Sequence, residues 1–454
     1  MSQWTEQHLV EIPSLGDGAT PPLVQSVWIQ LLMVLILALG FGLIDRQALW
    51  HFGLPLSISS MSEVFGSALP LVCVAAAYLA SLVLPAPVMR HGYGWRVAAL
   101  ATWSLFVLGV GLLEDHNASR AVLKEFGGFL TLIAMLWLGR YDQVWEALRR
   151  PIVVIFYTSL VLILLTYRTP AAVLTTEGFV AGKNLDAPRA LDTMAYSIRN
   201  IIDIGPLLFG WGISSKKKDI WRLLMIAALG VYVAIDALLF EFRAAALGAM
   251  FVVCVYVAVT PLMRVRIPVG PILGVLALAG IGLVIASQTQ SFNNLIRRFE
   301  QPGGILDSRF DEARSFFDDM SSVDLAIGRG FAATYHGPDW APMSEYNGRR
   351  IWGFIHFGFL GLVLRGGLPL LLLMASFAVP YVLRKPHGWY DNEYNVAAMI
   401  CVPWLVLNIL FNPFDFGPDS FFLLLTWGLC FGRLSTPGPE NAWTQPPLTA
   451  DYAY

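Results

Sequence analysis

Charge is what this chain has least of. Only 14% of its 454 residues are Asp, Glu, Lys or Arg, against about 25% in a soluble domain. That shortage excludes a chain wrapped in a solvated surface around one large core. Cysteine is scarce as well. Cys73, Cys254, Cys401 and Cys430 all fall in apolar runs without metal-ligand spacing, so they read as small buried hydrophobes. The usual nucleotide and metal signatures are missing: there is no P-loop, GxGxxG, DxD or HExxH. No cofactor, metal or nucleic-acid partner is therefore expected, and the net charge of −2 says little about other partners. A cleavable signal pattern is not expected either, because the first apolar run begins near Leu23, after Glu6, Glu11 and Asp17.

What is there is apolar length. Hydrophobic residues make up 56% of the chain, and mean hydropathy is +0.61. Repeated apolar runs match the ~20 residues that cross a bilayer. The expectation is an all-α polytopic integral membrane protein with about twelve transmembrane helices and a large helical periplasmic loop. The spans fall near 23–43, 67–85, 97–113, 126–139, 151–167, 198–214, 221–240, 244–262, 270–286, 366–383, 395–412 and 418–433. The chain divides into a cytoplasmic tail (1–22), nine spans (23–286), a periplasmic catalytic loop ending in an interfacial helix (287–365), three spans (366–433) and a second cytoplasmic tail (434–454). Residues 351–365 read equally as an extra span.

Alternate loops carry the cations: Arg90 and Arg96; Arg140, Arg149 and Arg150; Lys216, Lys217, Lys218 and Arg222; Arg264 and Arg266; Arg384 and Lys385. The positive-inside rule puts these in the cytoplasm. Both termini are then cytoplasmic, and loop 287–365 faces outward, to the periplasm or exterior. ATP and nucleotide sugars are cytoplasmic, so an outward active site needs a lipid-linked or exported substrate.

Loop 287–365 holds Arg297, Arg298, Arg309, Arg314, Arg329, Arg349 and Arg350, but 287–350 also holds nine acidic residues. It is not a basic patch. Individually placed guanidinium forks suit a pyrophosphate, whose charge grows as it leaves. The competing reading pairs them with Asp307, Asp311, Glu312, Asp318 or Asp319 on solvated helices. Gly328 and Gly330 suggest a tight turn with exposed amides that could support an anion. Arg243, in LLFEFRAAALG, reads either as a functional cation at bilayer depth or as one snorkelling at the interface. His356, in IWGFIHFGFLG, reads either as a general base or as a hydrogen-bonded histidine of an interfacial helix.

The order of these pieces resembles the O-antigen ligase and polymerase superfamily. An arginine followed by small residues precedes a basic turn and a further span. Then come a long outward loop with S-R-F-D-E-A-R and I-G-R-G-F, and a histidine shortly before G-F-L-G-L-V-L-R-G-G-L-P. The resemblance is firmest over about residues 205–385. It implies a GT-C-like membrane glycosyltransferase, inverting and metal-independent, acting on undecaprenyl-diphosphate-linked glycans as donor and acceptor. His356 would deprotonate the acceptor, with Phe357 where the family has Asn. Arg243, preceded by Phe242 rather than Ser, and Arg309, with no Trp following it, would hold the pyrophosphate. Arg314 competes with Arg309, and Arg314, Arg329, Arg349 and Arg350 would bind pyrophosphate or glycan. Polymerisation of an exopolysaccharide or O-antigen is preferred slightly over ligation to lipid A–core. Membrane lipids, a flippase and a chain-length regulator are the other expected partners.

A transporter or flippase is the rival of another class, kept open by the near-membrane carboxylates Asp203 and Asp236. A metal-dependent enzyme would have only the widely separated Asp45 and Glu63 in its first outward loop. Whether loop 168–197, with Lys183, Arg189 and then Arg199, folds over the same site is not readable from the sequence.

Overall fold

In the computed structural model, the residues described are 22–44, 56–85, 92–113, 119–166, 172–175, 178–181, 198–239, 243–259, 313–314, 316–331, 343–346, 349–352, 358–382, 389–411, 416 and 420–436. An apolar chain in lipid satisfies its backbone polar groups internally, and the α-helix does this within one segment. The helices are α1 (Pro22–Ile44), α2 (Leu56–Val83), α3 (Tyr93–Leu113), α4 (Ser119–Leu138), α5 (Asp142–Thr166), α6 (Gly205–Ser214), α7 (Ile220–Tyr232), α8 (Arg243–Val259), α9 (Ser322–Ile327), α10 (Gly358–Ser376), α11 (Val379–Val382), α12 (Glu393–Phe411) and α13 (Phe421–Leu434). A 3-10 turn, Ile202–Ile204, leads into α6, and α7 continues as a π-helix over Val233–Leu239.

Helix occupies each expected span except 270–286, which lies outside the described residues. Among the described residues, α3, α5, α10 and the Glu393–Leu410 part of α12 are long and apolar enough to cross a membrane. Their outer faces carry large apolar side chains in the open: Leu113 is 84% exposed, Trp95 77% and Leu372 67%. That is the surface of a helix bundle meant for an apolar surrounding.

Two features depart from an all-helical chain. β1 (Ala172–Thr175) pairs with β2 (Gly178–Ala181), and β3 (Met343–Tyr346) pairs with β4 (Arg349–Trp352), each as an antiparallel hairpin. Residues 349–352 are strand, while 358–365 are already the first half of α10, and the break in that helix at Gly366 and Gly367 falls at the expected loop-to-span boundary.

Helices α4 and α13 pack closely in the core. A Cβ at Gly139 would stand 2.5 Å from the Leu429 carbonyl oxygen, and Cβ atoms at Gly428 and Gly432 would collide with Met135 and Leu136. Glycine here lets two backbones touch, as small residues do between helices in lipid. Around this pair, α2 and α3 pack on α4, α12 on α13 and α6, and α8 on α12.

The bundle has two polar ends. At one, Arg149 donates to Asp219 through Nη2 to Oδ1 (2.9 Å) and Nη1 to Oδ2 (3.0 Å). Lys217 pairs with Glu146, and the Lys216 amide donates to Glu393 Oε2 (2.9 Å). Arg433 donates to Asn395 Oδ1 (2.6 Å) and to the Arg140 carbonyl (2.8 Å). Burial alone would push the Asp219 carboxyl up. The Arg222 amide and the Arg149 fork outweigh it and hold the carboxyl below its ordinary value. Loops that the charge pattern grouped on one side thus meet at one end of the molecule.

Candidate functional site

The opposite end carries residues 313–314 and 316–331, one of the described stretches of the long polar loop. Phe316 and Met320 are buried against Leu360, Val363 and Leu364 of α10. Ser321 then caps α9 with a reciprocal capping box: its hydroxyl accepts from the Asp324 amide, and Asp324 accepts from the Ser321 amide, both at 3.1 Å. At the other end of α9 the I-G-R-G-F turn begins. Gly328 and Gly330 have φ of +75° and +86°, which L side chains adopt only under strain.

This turn is locked onto a break in α10. Gly366 and Gly367 leave helical geometry there, with φ/ψ of −133°/20° and 66°/−174°. Pro369, lacking an N–H, cannot bond the carbonyl four residues back, that of Arg365. The Gly330 amide donates to that carbonyl instead (2.9 Å), and the Arg329 amide donates to Leu364 O (2.7 Å). Trp103 of α3 adds a bond from Nε1 to Gly366 O (2.9 Å). The fit is tight: a Cβ on Gly330 would collide with Gly111 of α3, and one on Gly367 would stand 2.7 Å from Ala326. The turn amides that the sequence offered to an anion are therefore occupied by main-chain carbonyls, including that of Gly328, which donates to Asp324 O (2.8 Å).

The Arg329 side chain is buried and points back into its own segment. It donates to Asp319 Oδ2 (3.3 Å), to the Asp319 carbonyl (3.3 Å) and to Asp324 Oδ2 (3.1 Å). Burial acts to raise the Asp324 carboxyl, but the Arg329 hydrogen bond and the Ser321 amide prevail and hold it below its ordinary value. Arg329 thus meets Asp319, one of the acids of the competing reading, and also Asp324, and its fork ties the segment together.

Below the turn lies an ion pair that sequence reasoning missed. Arg365 donates to Glu125 of α4 through Nε to Oε2 (2.8 Å) and Nη2 to Oε1 (2.9 Å), with both side chains 4% exposed. Its guanidinium also lies 5.7 Å from the Phe416 ring centroid. Phe331, next to the turn, packs on Phe126, Phe129 and Phe416. So α3, α4, α10 and the approach to α13 converge on this turn. Glu125 and Arg365 stand 240 residues apart, and a pair so distant leaves no local signal.

A second buried charge cluster sits at the same end. Arg199 donates to Asp236 through Nε to Oδ1 and Nη2 to Oδ2, both 3.0 Å. Asp203, one helical turn from Arg199, lies 3.7 Å from its Nη2. Tyr232 accepts a hydrogen bond from Trp404 Nε1 (2.8 Å). Asp236 lies in the π-helical turn, a geometry frequent at functional sites.

Of the residues singled out from sequence, Arg314 is exposed and Arg329 buried on one segment. Arg243 is the first residue of α8, which packs on the π-helical turn holding Asp236. Arg349 and Arg350 sit in β4, in register with Tyr346 and Glu345. His356 and Arg309 lie outside the described residues. Among the described residues no group of three or more metal-ligating side chains occurs. No protein-family model matches the chain, and no curated protein matches it either.

Proposed function

We propose that the protein is an inner-membrane glycosyltransferase that polymerises undecaprenyl-diphosphate-linked repeat units of an exopolysaccharide or O-antigen on the periplasmic face. One observation carries the proposal. The I-G-R-G-F turn and the R-G-G-L-P break, two of the pieces on which the family resemblance rests, interlock through the Arg329 and Gly330 amides. They join at the end of the bundle away from the cation-rich loops, with Arg314 on the same segment and Arg243 at the start of α8. A loop anchored in this way can hold charged side chains over the mouths of the helices. In this reading twelve spans cross the membrane, both termini are cytoplasmic and loop 287–365 is periplasmic.

In the proposed reaction His356 takes the proton of an acceptor hydroxyl. The freed oxygen attacks the donor's anomeric carbon from the face opposite the diphosphate. The carbon–oxygen bond to undecaprenyl diphosphate breaks with inversion. Arg243 and Arg309 take up the charge on the leaving group, and Arg314, Arg349 and Arg350 bind pyrophosphate or glycan. Arg329 serves the site by holding its segment in place.

The test is full-length protein in lipid with lipid-linked oligosaccharide, with and without chelator. Longer lipid-linked glycan is expected, unaffected by chelator and reduced at least about 100-fold in His356→Ala, the lower end for a general base, and in Arg243→Ala. Transfer only to lipid A–core would indicate the ligase. Undiminished polymerisation by both folded variants would remove the site assignment. The Arg199–Asp203–Asp236 cluster favours a second reading, a transporter or flippase, since charges buried among membrane helices mark substrate and ion paths. That reading predicts movement of lipid-linked glycan between leaflets without bond formation.

A further inference from the structure

Arg199, Asp203 and Asp236 are 8%, 6% and 0% exposed. The glycosyl-transfer mechanism uses none of them. They come from three pieces of chain: the turn before α6, the 3-10 turn and the π-helical continuation of α7. Arg199 straddles the two carboxylates. Its Nη2 is 3.0 Å from Asp236 Oδ2 and 3.7 Å from Asp203 Oδ1. The second distance is an ion-pair approach but too long for a hydrogen bond, and Asp203 Oδ1 is buried with no hydrogen-bond donor. Both carboxyl groups therefore face the same guanidinium inside the bundle.

That arrangement decides the chemistry. Two ionised carboxylates offer each other only lone pairs and repel, and away from water they do not both keep their charge. One proton between them turns the repulsion into a hydrogen bond. The pair then carries a single negative charge, matching the single positive charge of Arg199. Among the described side chains, the other titratable group facing the pair is Tyr232. Helices α5 and α13, which pack on the 3-10 turn, bring no charged side chain to that end, nor does the described part of α12, while α8 begins at that end with Arg243. A metal cation would need several oxygen ligands, whereas a proton needs the two that are present.

We propose that Asp203 and Asp236 form a proton-binding dyad: one proton held between two carboxyl groups beneath Arg199, inside the helix bundle. This assignment does not rest on glycosyl transfer and holds whichever substrate the protein takes.

The test is infrared spectroscopy of the full-length protein in lipid at neutral pH. The wild type is expected to show the C=O stretch of a protonated carboxylic acid, shifted in heavy water. The band is expected to fall by one carboxyl equivalent in Asp203→Asn and in Asp236→Asn, where the remaining aspartate is ionised beside Arg199. Asp203→Asn keeps a donor toward Asp236, so its melting temperature is expected to stay close to that of the wild type. Exchanging choline for sodium at fixed ionic strength is expected to leave the band unchanged. Absence of the band in the wild type would overturn the dyad. So would a band that survives both substitutions. Loss of the band on adding sodium would assign the place to a metal cation and overturn the proton.

Discussion

Glu125 and Arg365 are the residues whose loss should be felt most. Each is buried, and each is the other's counter-charge. Removing one partner of such a pair leaves an uncompensated charge away from water, at a cost of about 3–5 kcal/mol. Glu125→Gln is therefore expected to lower thermal stability by roughly that amount, while the double replacement Glu125→Leu with Arg365→Met should recover most of it. A double variant no better than the single would show that the pair is not what the site depends on. Asp324 gives a prediction in pH. Its carboxyl is held below the ordinary 3.8 of an aspartate, so its contribution is present above that value and fades as pH falls through it. Asp324→Asn is expected to be about 1–2 kcal/mol less stable at neutral pH. Melting curves taken toward acid should show the gap closing; a gap independent of pH would mean that the carboxylate charge is not its source. Neither residue stood out in sequence, because an isolated Glu or Asp near a helix end looks like any solvated one.

At the scale of elements, the join between the 328–331 turn and the 364–367 break of α10 links loop to membrane. The sequence pointed to a turn at I-G-R-G-F, and to a separate motif at R-G-G-L-P. That the amides of one fill the carbonyls of the other was not legible, since a backbone amide carries no local mark of its partner. Pro369 is the residue that keeps the Arg365 carbonyl open. Pro369→Ala restores a helical donor to compete with the Gly330 amide, so hydrogen exchange at Gly330 is expected to speed up in the reconstituted variant. Unchanged exchange would mean that the Gly366–Gly367 break alone holds the acceptor open. The helices themselves were easier to foresee, because each apolar run satisfies its own backbone and needs no distant partner. The two hairpins were not foreseen, and four-residue strands carry too little periodicity to be seen.

For the whole molecule, the separation of its two polar ends is the property most open to test. Lys217 is exposed beside Glu146 and Asp219, and Ser322 is exposed at the start of α9. In a background with exposed Cys254 replaced, Lys217→Cys and Ser322→Cys are expected to react with an impermeant thiol reagent from opposite sides of sealed vesicles. Reaction from the same side would remove the topology and the outward site with it.

Composition and the spacing of apolar runs determined by themselves that the chain is helical and suited to a membrane. Lipid penalises an unpaired backbone group so heavily that length and hydropathy alone select the helix. The alternation of cations along the chain grouped the 140–150 and 216–222 loops on one side, and these two meet at one end of the bundle. Only the tertiary structure decided which charges meet. Glu125 finds Arg365, Asp319 and Asp324 take Arg329, and Asp203 and Asp236 share Arg199. Ion pairing is set by distance in space, and residues far apart in sequence become neighbours only when the helices pack.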